Sequence, residues 1–270
     1  MFFDYAEAEV RICVEEWTIA SQILNREVSG VIYQPEYLSA TGPLHLLLLN
    51  DGQDLVTMQY DRILTRTLQH KNIQSVLTVG IKAGNRLQEY GVSGQPDFKE
   101  RGSEAHHYRQ FIVQELLPFI HSHTSRAAFS SYTIAGFSLG ALSALDIAWH
   151  ESTIFSRVGA FSGSFWWRSK EYTPKNPDKH RIAHQVIRQT NDKPNLKFWF
   201  QAGTQDEKSD RNQNGIIDSI DDTTSLIAEL YRKGYERNTE VRYVELLGGR
   251  HDITTWGKIM PEFLCWAFRN

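Results

Sequence analysis

With 270 residues, 41% hydrophobic and 12% aromatic, the chain can bury one substantial core, and a single domain spanning 1–270 is the expectation. A formal net charge of −3, with no run of Lys or Arg longer than a pair, excludes a general pull toward nucleic acid or an anionic membrane surface. Residues Met1 to Glu7 carry neither a basic nor an apolar targeting region, and no apolar stretch approaches the roughly 20 residues of a membrane span. The expectation is a cytoplasmic protein, or a periplasmic or secreted one if a leader has been removed.

The first 35 residues alternate apolar and polar positions at Val10, Ile12 and Val14, then Val28, Val31 and Tyr33, which predicts an antiparallel strand pair at a sheet edge. Cys13 and Cys265 lie at opposite ends without CxxC spacing and read as two buried free thiols rather than a disulfide. After Pro35 come short, mostly apolar runs at Leu44–Leu49, Ser75–Ile81, Tyr132–Phe137, Val158–Phe161, Lys197–Ala202 and Val241–Leu247. Helical periodicity separates them, as at Tyr108–Ile120 and Leu139–Trp149. Buried strands alternating with helices make a doubly wound α/β fold with a mostly parallel sheet. Two irregular stretches, Lys82–Ser103 and Ser164–Pro177, follow predicted strands, so they are candidate walls of a ligand pocket.

Gly136-Phe137-Ser138-Leu139-Gly140 is a G-x-S-x-G pentapeptide between a predicted buried strand and an Ala/Leu-rich helix, the context that an α/β-hydrolase nucleophile requires. Ser138 would stand in a strained turn at a helix head, with the Leu139 N–H as first oxyanion donor. In this fold the acid and then the base follow the serine along the chain. Of ten histidines, His251 alone lies between the last predicted strand and a final helix, Ile253–Phe268. His180 and His184, spaced i, i+4, read as a solvated helix face rather than a metal pair. The acid lies at the end of Phe198–Gly203, where Asp206 is preferred to Glu207 for its shorter reach.

Taken with these, Asn50-Asp51-Gly52-Gln53-Asp54, Glu115-Leu116-Leu117-Pro118, Ser162-Gly163-Ser164-Phe165-Trp166-Trp167, Gly203-Thr204-Gln205-Asp206 and Gly249-Arg250-His251-Asp252 resemble the esterase D type of esterase family. That family includes enterochelin esterases, feruloyl and acetylxylan esterases and mycolyltransferases. The resemblance runs from Val28 onward, and Arg86, Glu89 and Tyr90 resemble the enterochelin-esterase-like branch. It implies an α/β-hydrolase fold, a small-molecule ester substrate, Ser138, Asp206 and His251 as the triad, and the Gln53 N–H as second oxyanion donor. Asn50 departs from the hydrophobic residue that relatives often carry there. Trp166, Trp167, Tyr90 and Arg86 would line the substrate pocket, the alternative for the tryptophans being core packing.

Catalysis of this kind needs no cofactor. A structural Ca²⁺ is a separate expectation, because Asp210, Asn212, Asn214, Ile216, Asp218 and Asp221 match an EF-hand loop, with Gly215 at its turn and Asp221 in place of the final Glu. The alternative is an Asx-rich solvated loop capped by Asp222 before a helix over Thr223–Lys233. A non-catalytic, calcium-stabilised binding protein on this fold and a thioesterase or acyltransferase are the rival functions.

Overall fold

In the computed structural model, which describes residues 10–36, 43–70, 73–124 and 128–269, the N-terminal alternation folds into a hairpin. The segment 1–9, whose composition bears on targeting, lies outside the described residues. β1 (Ile12–Ser21) and β2 (Arg26–Pro35) pair antiparallel in unbroken register. Most of β1 faces solvent, so it forms one edge of the sheet. Glu115 accepts hydrogen bonds from the Ser21 hydroxyl and from the N–H groups of Gln22 and Ile23, which ties the hairpin turn to the helical layer.

The chain continues through β3 (His45–Asn50), α1 (Tyr60–His70), β4 (Val76–Ile81) and α2 (Arg86–Glu89). A helical stretch follows as α3 (Ala105–Phe111), a π-helical segment over Ile112–Leu116, and α4 (Leu117–Thr124). Next come β5 (Tyr132–Phe137), α5 (Leu139–His150), β6 (Arg157–Phe161), α6 (Ile182–Gln189), β7 (Lys197–Gln205), α7 (Asp218–Arg232), β8 (Val241–Arg250) and α8 (Ile253–Phe268).

The strands form one eight-stranded sheet in the order β1-β2-β4-β3-β5-β6-β7-β8. β2 joins β4 antiparallel, and every later pairing is parallel. Successive residues of a strand point to opposite faces, and the core divides accordingly. Leu46, Leu48, Ile134 and Phe198 pack with the α3–α7 side, whereas Leu47, Leu49, Phe137 and Trp199 pack with α1 and α8. Since both faces are covered, β3 and β4 bury every residue, as their continuous apolar runs require.

Several expectations are corrected. Cys13 is exposed, because β1 is an edge, and Cys265 is half-buried; both are free thiols. His184 is buried rather than solvated, its Nε2 lying 3.0 Å from Ser225 Oγ. β8 runs on to Arg250, past the expected Leu247, with an irregularity in its pairing to β7 at Gly203–Gln205. α7 begins at Asp218 rather than Thr223, because Asp222 is not its cap: the carboxylate is buried and receives the guanidinium groups of Arg181 and Arg211. Among the described residues no helix is long and apolar enough to cross a membrane.

The α8 face hangs on Phe263, which is fully buried against Phe161 and Trp199, with ring centroids at 5.3 and 5.4 Å. Phe263→Ala is expected to lower the unfolding free energy by about 3–5 kcal/mol, measured by urea denaturation. A loss below about 1 kcal/mol would mean that this ring does not anchor α8 to the sheet.

Candidate active site

Ser138 sits where β5 passes into α5. Every residue from Thr133 to Gly140 is buried except Ser138. The serine adopts φ 54°, ψ −118°, a region that costs about 1–3 kcal/mol for a residue with a side chain. The flanking glycines explain why the turn is so tight. A Cβ on Gly136 would lie 2.3 Å from the Gly140 carbonyl oxygen, and one on Gly140 would lie 2.6 Å from a carboxylate oxygen of Asp51. The Ser138 N–H donates to the Phe161 carbonyl at 2.8 Å, and its own carbonyl accepts from Ala141 and Ser164 at 3.1 Å each. These bonds aim Oγ outward, 3.3 Å from Ser164 Oγ.

The turn after β3 closes over the head of α5. Asn50 is fully buried, donates Nδ2 to the Gly140 carbonyl at 2.8 Å and accepts from the Tyr108 hydroxyl at 2.7 Å. Asp51 follows at φ 60°, its N–H donating to the Tyr90 hydroxyl and its carboxylate taking a two-pronged bond from Arg86 at 2.8 and 2.9 Å. Arg86 Nη2 also reaches the Phe137 carbonyl at 3.4 Å. Gln53 then lies in a single 3₁₀ turn, Gly52–Asp54. Neither the Gln53 N–H nor the Leu139 N–H has an acceptor among the described residues, as expected of donors in the first turn of a helix.

Asp206 follows the end of β7 and accepts the Gly203 N–H at 3.0 Å through Oδ2, while Oδ1 is buried without a well-formed bond. Burial raises its pKa above the ordinary carboxylate value, opposed by the Gly203 N–H, the Ser162 hydroxyl and the nearby His251. His251 follows the end of β8, with its ring 5.3 Å from that of Trp256, and Trp256 in turn stacks on Phe137 at 5.0 Å. Desolvation lowers the imidazole pKa, Asp206 opposes this, and the Arg86 charge adds to it. His251 is therefore a charge neighbour of both Asp206 and Arg86, at the same edge of the parallel strands as Ser138. Among the described residues its ring forms no hydrogen bond to Ser138 or Asp206.

Glu207 faces elsewhere, its electrostatic neighbours being Asp218, the Ser219 N–H and Asp222. Sequence reasoning placed Ser162 in the Ser162–Trp167 block but gave it no role; its hydroxyl accepts from Trp256 Nε1 at 3.1 Å. A polar residue directly after the apolar end of β6 was the available signal.

The chain matches the family described as "Putative esterase" over residues 21–267, most of its length. The chain belongs to this esterase family. The chain is 24% identical over 254 residues to the uncharacterized protein YjcH of Bacillus subtilis, covering 93% of this chain and 95% of YjcH. It is 26% identical over 144 residues to the uncharacterized protein YbbA of the same organism, 52% of this chain and 57% of YbbA. Among solved structures it resembles the enterochelin esterase of Shigella flexneri (TM-score 0.71, 19% identity), with 94% of this chain but 58% of that one covered. It also resembles a siderophore hydrolase, EstA, of Aspergillus nidulans (TM-score 0.70, 17% identity, 94% and 93% covered). The match thus spans little more than half the length of YbbA and of the Shigella enzyme.

The two irregular stretches meet at a pocket. A cavity of about 400 Å³ is lined by Phe98, Lys99 and Arg101 from the first and by Trp166, Arg168 and Tyr172 from the second. Trp166 is half-buried, with the Arg101 guanidinium 5.3 Å from its ring. Trp167 and Tyr90, expected to line the pocket, expose no surface: Trp167 packs into the core beside Gly91 and Gly102, and Tyr90 backs Asp51. Arg86, expected to face substrate, spends its fork on Asp51 and so holds the loop that carries Gln53.

In the 210–221 loop the side chains turn onto the backbone. Asp210 accepts from Asn214 and Gly215 N–H, Asn214 accepts from Ile216 N–H, Asp218 from Arg211 N–H, and Asp221 from the Asn212 side chain. Among the described residues no group of three or more His, Cys, Asp or Glu side chains is gathered to hold a metal.

Asn50→Ala would strand the Tyr108 hydroxyl and the Gly140 carbonyl in the core. A loss of about 2 kcal/mol or more is expected in chemical unfolding, since each orphaned buried group costs about 1–3 kcal/mol. A neutral result would show that Asn50 does not pin the turn.

Proposed function

We propose that the protein is a serine esterase acting on a small-molecule carboxylic ester, with Ser138 as nucleophile, His251 as general base and Asp206 as the acid that orients the imidazole. The observation that carries this reading is the placement of Ser138, the one accessible residue between Thr133 and Trp149, held at positive φ at the same edge of the parallel strands as Asp206 and His251. His251 takes the Ser138 proton as Oγ attacks the ester carbonyl, and the Leu139 and Gln53 N–H groups stabilise the oxyanion. The carbon–oxygen bond of the ester then breaks, and the leaving alcohol takes the proton from the imidazolium. Water activated by the same histidine hydrolyses the acyl-enzyme, which frees the acid and restores Ser138. The Shigella and Aspergillus relatives support a siderophore-type ester as the first substrate to try, with carbohydrate-linked esters beside it.

Hydrolysis of nitrophenyl acetate and butyrate tests the assignment. Ser138→Ala is expected to lose about four orders of magnitude or more in kcat. Equal turnover by wild type and variant would remove Ser138 from the role, and preference for thioesters or acyl transfer to an added alcohol would redefine the reaction. The base must be neutral to act, and the His251 pKa is lowered below the ordinary 6.5. The acid limb of kcat/KM is therefore expected below that pH, with activity present above it and lost as pH falls through it. An acid limb well above the ordinary histidine value would exclude a desolvated His251 as the base.

A structural calcium ion in the 210–221 loop is a second part of the proposal. Side-chain oxygens of Asp210, Asn212, Asn214, Asp218 and Asp221 and the Ile216 carbonyl would hold it, and the start of α7 at Asp218 puts Asp218 and Asp221 on one helical face, which supports the reading. The ion would order the loop behind Asp206 without entering the chemistry. At a hundredfold excess of calcium over Kd, stabilisation of about 2.7 kcal/mol is expected, seen as a calorimetric rise of roughly 5 °C in Tm that a chelator reverses. An unchanged Tm would leave the loop as a set of Asx turns.

A further inference from the structure

The cavity beside Trp166 holds a charge that the acyl-transfer chemistry does not use. Arg168 is only 4% exposed; its Nε donates to the Trp166 carbonyl and its Nη1 to the Pro177 carbonyl, each at 2.9 Å. The arginines around it are all matched to carboxylates: Arg101 to Asp97, Arg181 to Asp222, and Arg211 to Asp178 and Asp222. Among the described residues Arg168 has no such partner within ion-pairing distance. Among the described residues its Nη2 donates to no protein atom and is not sealed in the interior, and Arg168 lines the cavity. Burial lowers the Arg168 pKa and the neighbouring Arg211 and Arg181 lower it further, with Asp222 and Asp178 opposing.

A buried cation without a counter-charge is a costly arrangement, and an anion arriving in the cavity relieves it. Lys99 and Arg101 add positive charge from the opposite segment, and Trp166 and Tyr172 provide apolar flanks. Two acids share the lining. Asp218 is engaged by Arg211, and the exposed Glu171 forms no ion pair among the described residues. The cavity adjoins the segment that leads away from Ser138. Ser164 Oγ is 3.3 Å from Ser138 Oγ, and Trp166 is two residues further on, at most about 7 Å along the chain.

We propose that this cavity is a carboxylate subsite, in which Arg168 Nη2, assisted by Lys99, receives a carboxylate that the ester substrate carries away from its scissile bond. The proposal rests on the serine-esterase reading for its catalytic meaning. It makes charge a specificity element: the esterase favours acidic esters over neutral ones of the same size.

Two matched pairs of esters test it. Nitrophenyl hydrogen adipate against nitrophenyl hexanoate places the charge in the acid half, and carboxyphenyl butyrate against carbamoylphenyl butyrate places it in the alcohol half. Wild type is expected to favour the charged member of at least one pair by about 10- to 100-fold in kcat/KM, the scale of one charge-assisted hydrogen bond. Arg168→Met is expected to erase that ratio and Arg168→Lys to keep part of it. Because Arg168 also ties down two carbonyls, general damage to the fold would lower both members of a pair together, whereas loss of the subsite moves their ratio. Lys99→Ala, at an exposed position, is expected to cut the ratio several-fold. No preference in either pair, or a preference that survives both Arg168→Met and Lys99→Ala, overturns the proposal. Calorimetric binding of benzoate against benzamide separates it from the catalytic reading. Binding of benzoate that Arg168→Met abolishes, in a protein that hydrolyses no ester, keeps the subsite and rejects the esterase mechanism.

Discussion

Gly136 and Gly140 approach so closely that a Cβ on the first would meet the carbonyl of the second at 2.3 Å. That single constraint decides the geometry of the whole upper face of the sheet. With no side chain at either position, β5 can turn into α5 within one residue, and the residue in between is forced to positive φ. The strain falls on Ser138 and is held by bonds from three directions: Phe161 on β6, Ser164 on the following loop, and Asn50, which grips the Gly140 carbonyl. A helix buried on all sides but its last residue then locks the turn from below. The Ser138 hydroxyl is thus presented by elements that are themselves core.

From that turn, the other parts of the site follow by adjacency in the sheet. β3 lies on one side of β5 and delivers Asn50, Asp51 and Gln53; β6 lies on the other and delivers Ser162; β7 and β8 beyond it deliver Asp206 and His251. Arg86 links the two halves electrostatically, since it clamps Asp51 and also lies in the field felt by His251. Burial around Asp206 and His251 acts in opposite senses on the pair, raising the pKa of Asp206 and lowering that of His251. Both shifts favour neutral forms, and the attraction between the charged forms opposes both.

The sheet was legible in the sequence because its strands are buried on both faces, so Leu46–Leu49 and Val76–Ile81 read as unbroken apolar runs and only the β1–β2 edge alternates. The places of Ser138 and His251 in the fold, one between a strand and a helix and the other after the last strand, were legible because glycines and strand ends mark where the chain must turn. What could not be read were properties that depend on long-range partners. Asp222 looked like a helix cap, but Arg181 and Arg211, 41 and 11 residues away, draw it into the core, and α7 starts a turn earlier. Tyr90 and Trp167 carry the composition of a binding pocket, yet their burial is set by Asp51 and the Gly91–Gly102 backbone. Asp206 and Glu207 are neighbours that sequence separates only by length, whereas the fold turns one toward His251 and the other toward α7.

The most direct test is covalent. The full chain is treated with a fluorophosphonate probe, digested, and the labelled peptide sequenced by mass spectrometry, with a second sample of His251→Ala treated alongside. A single adduct on Ser138, formed rapidly in the wild type and slowed by orders of magnitude in the variant, is the expected result. An adduct on another residue, or an unlabelled Ser138 in a protein that still hydrolyses esters, would contradict the account.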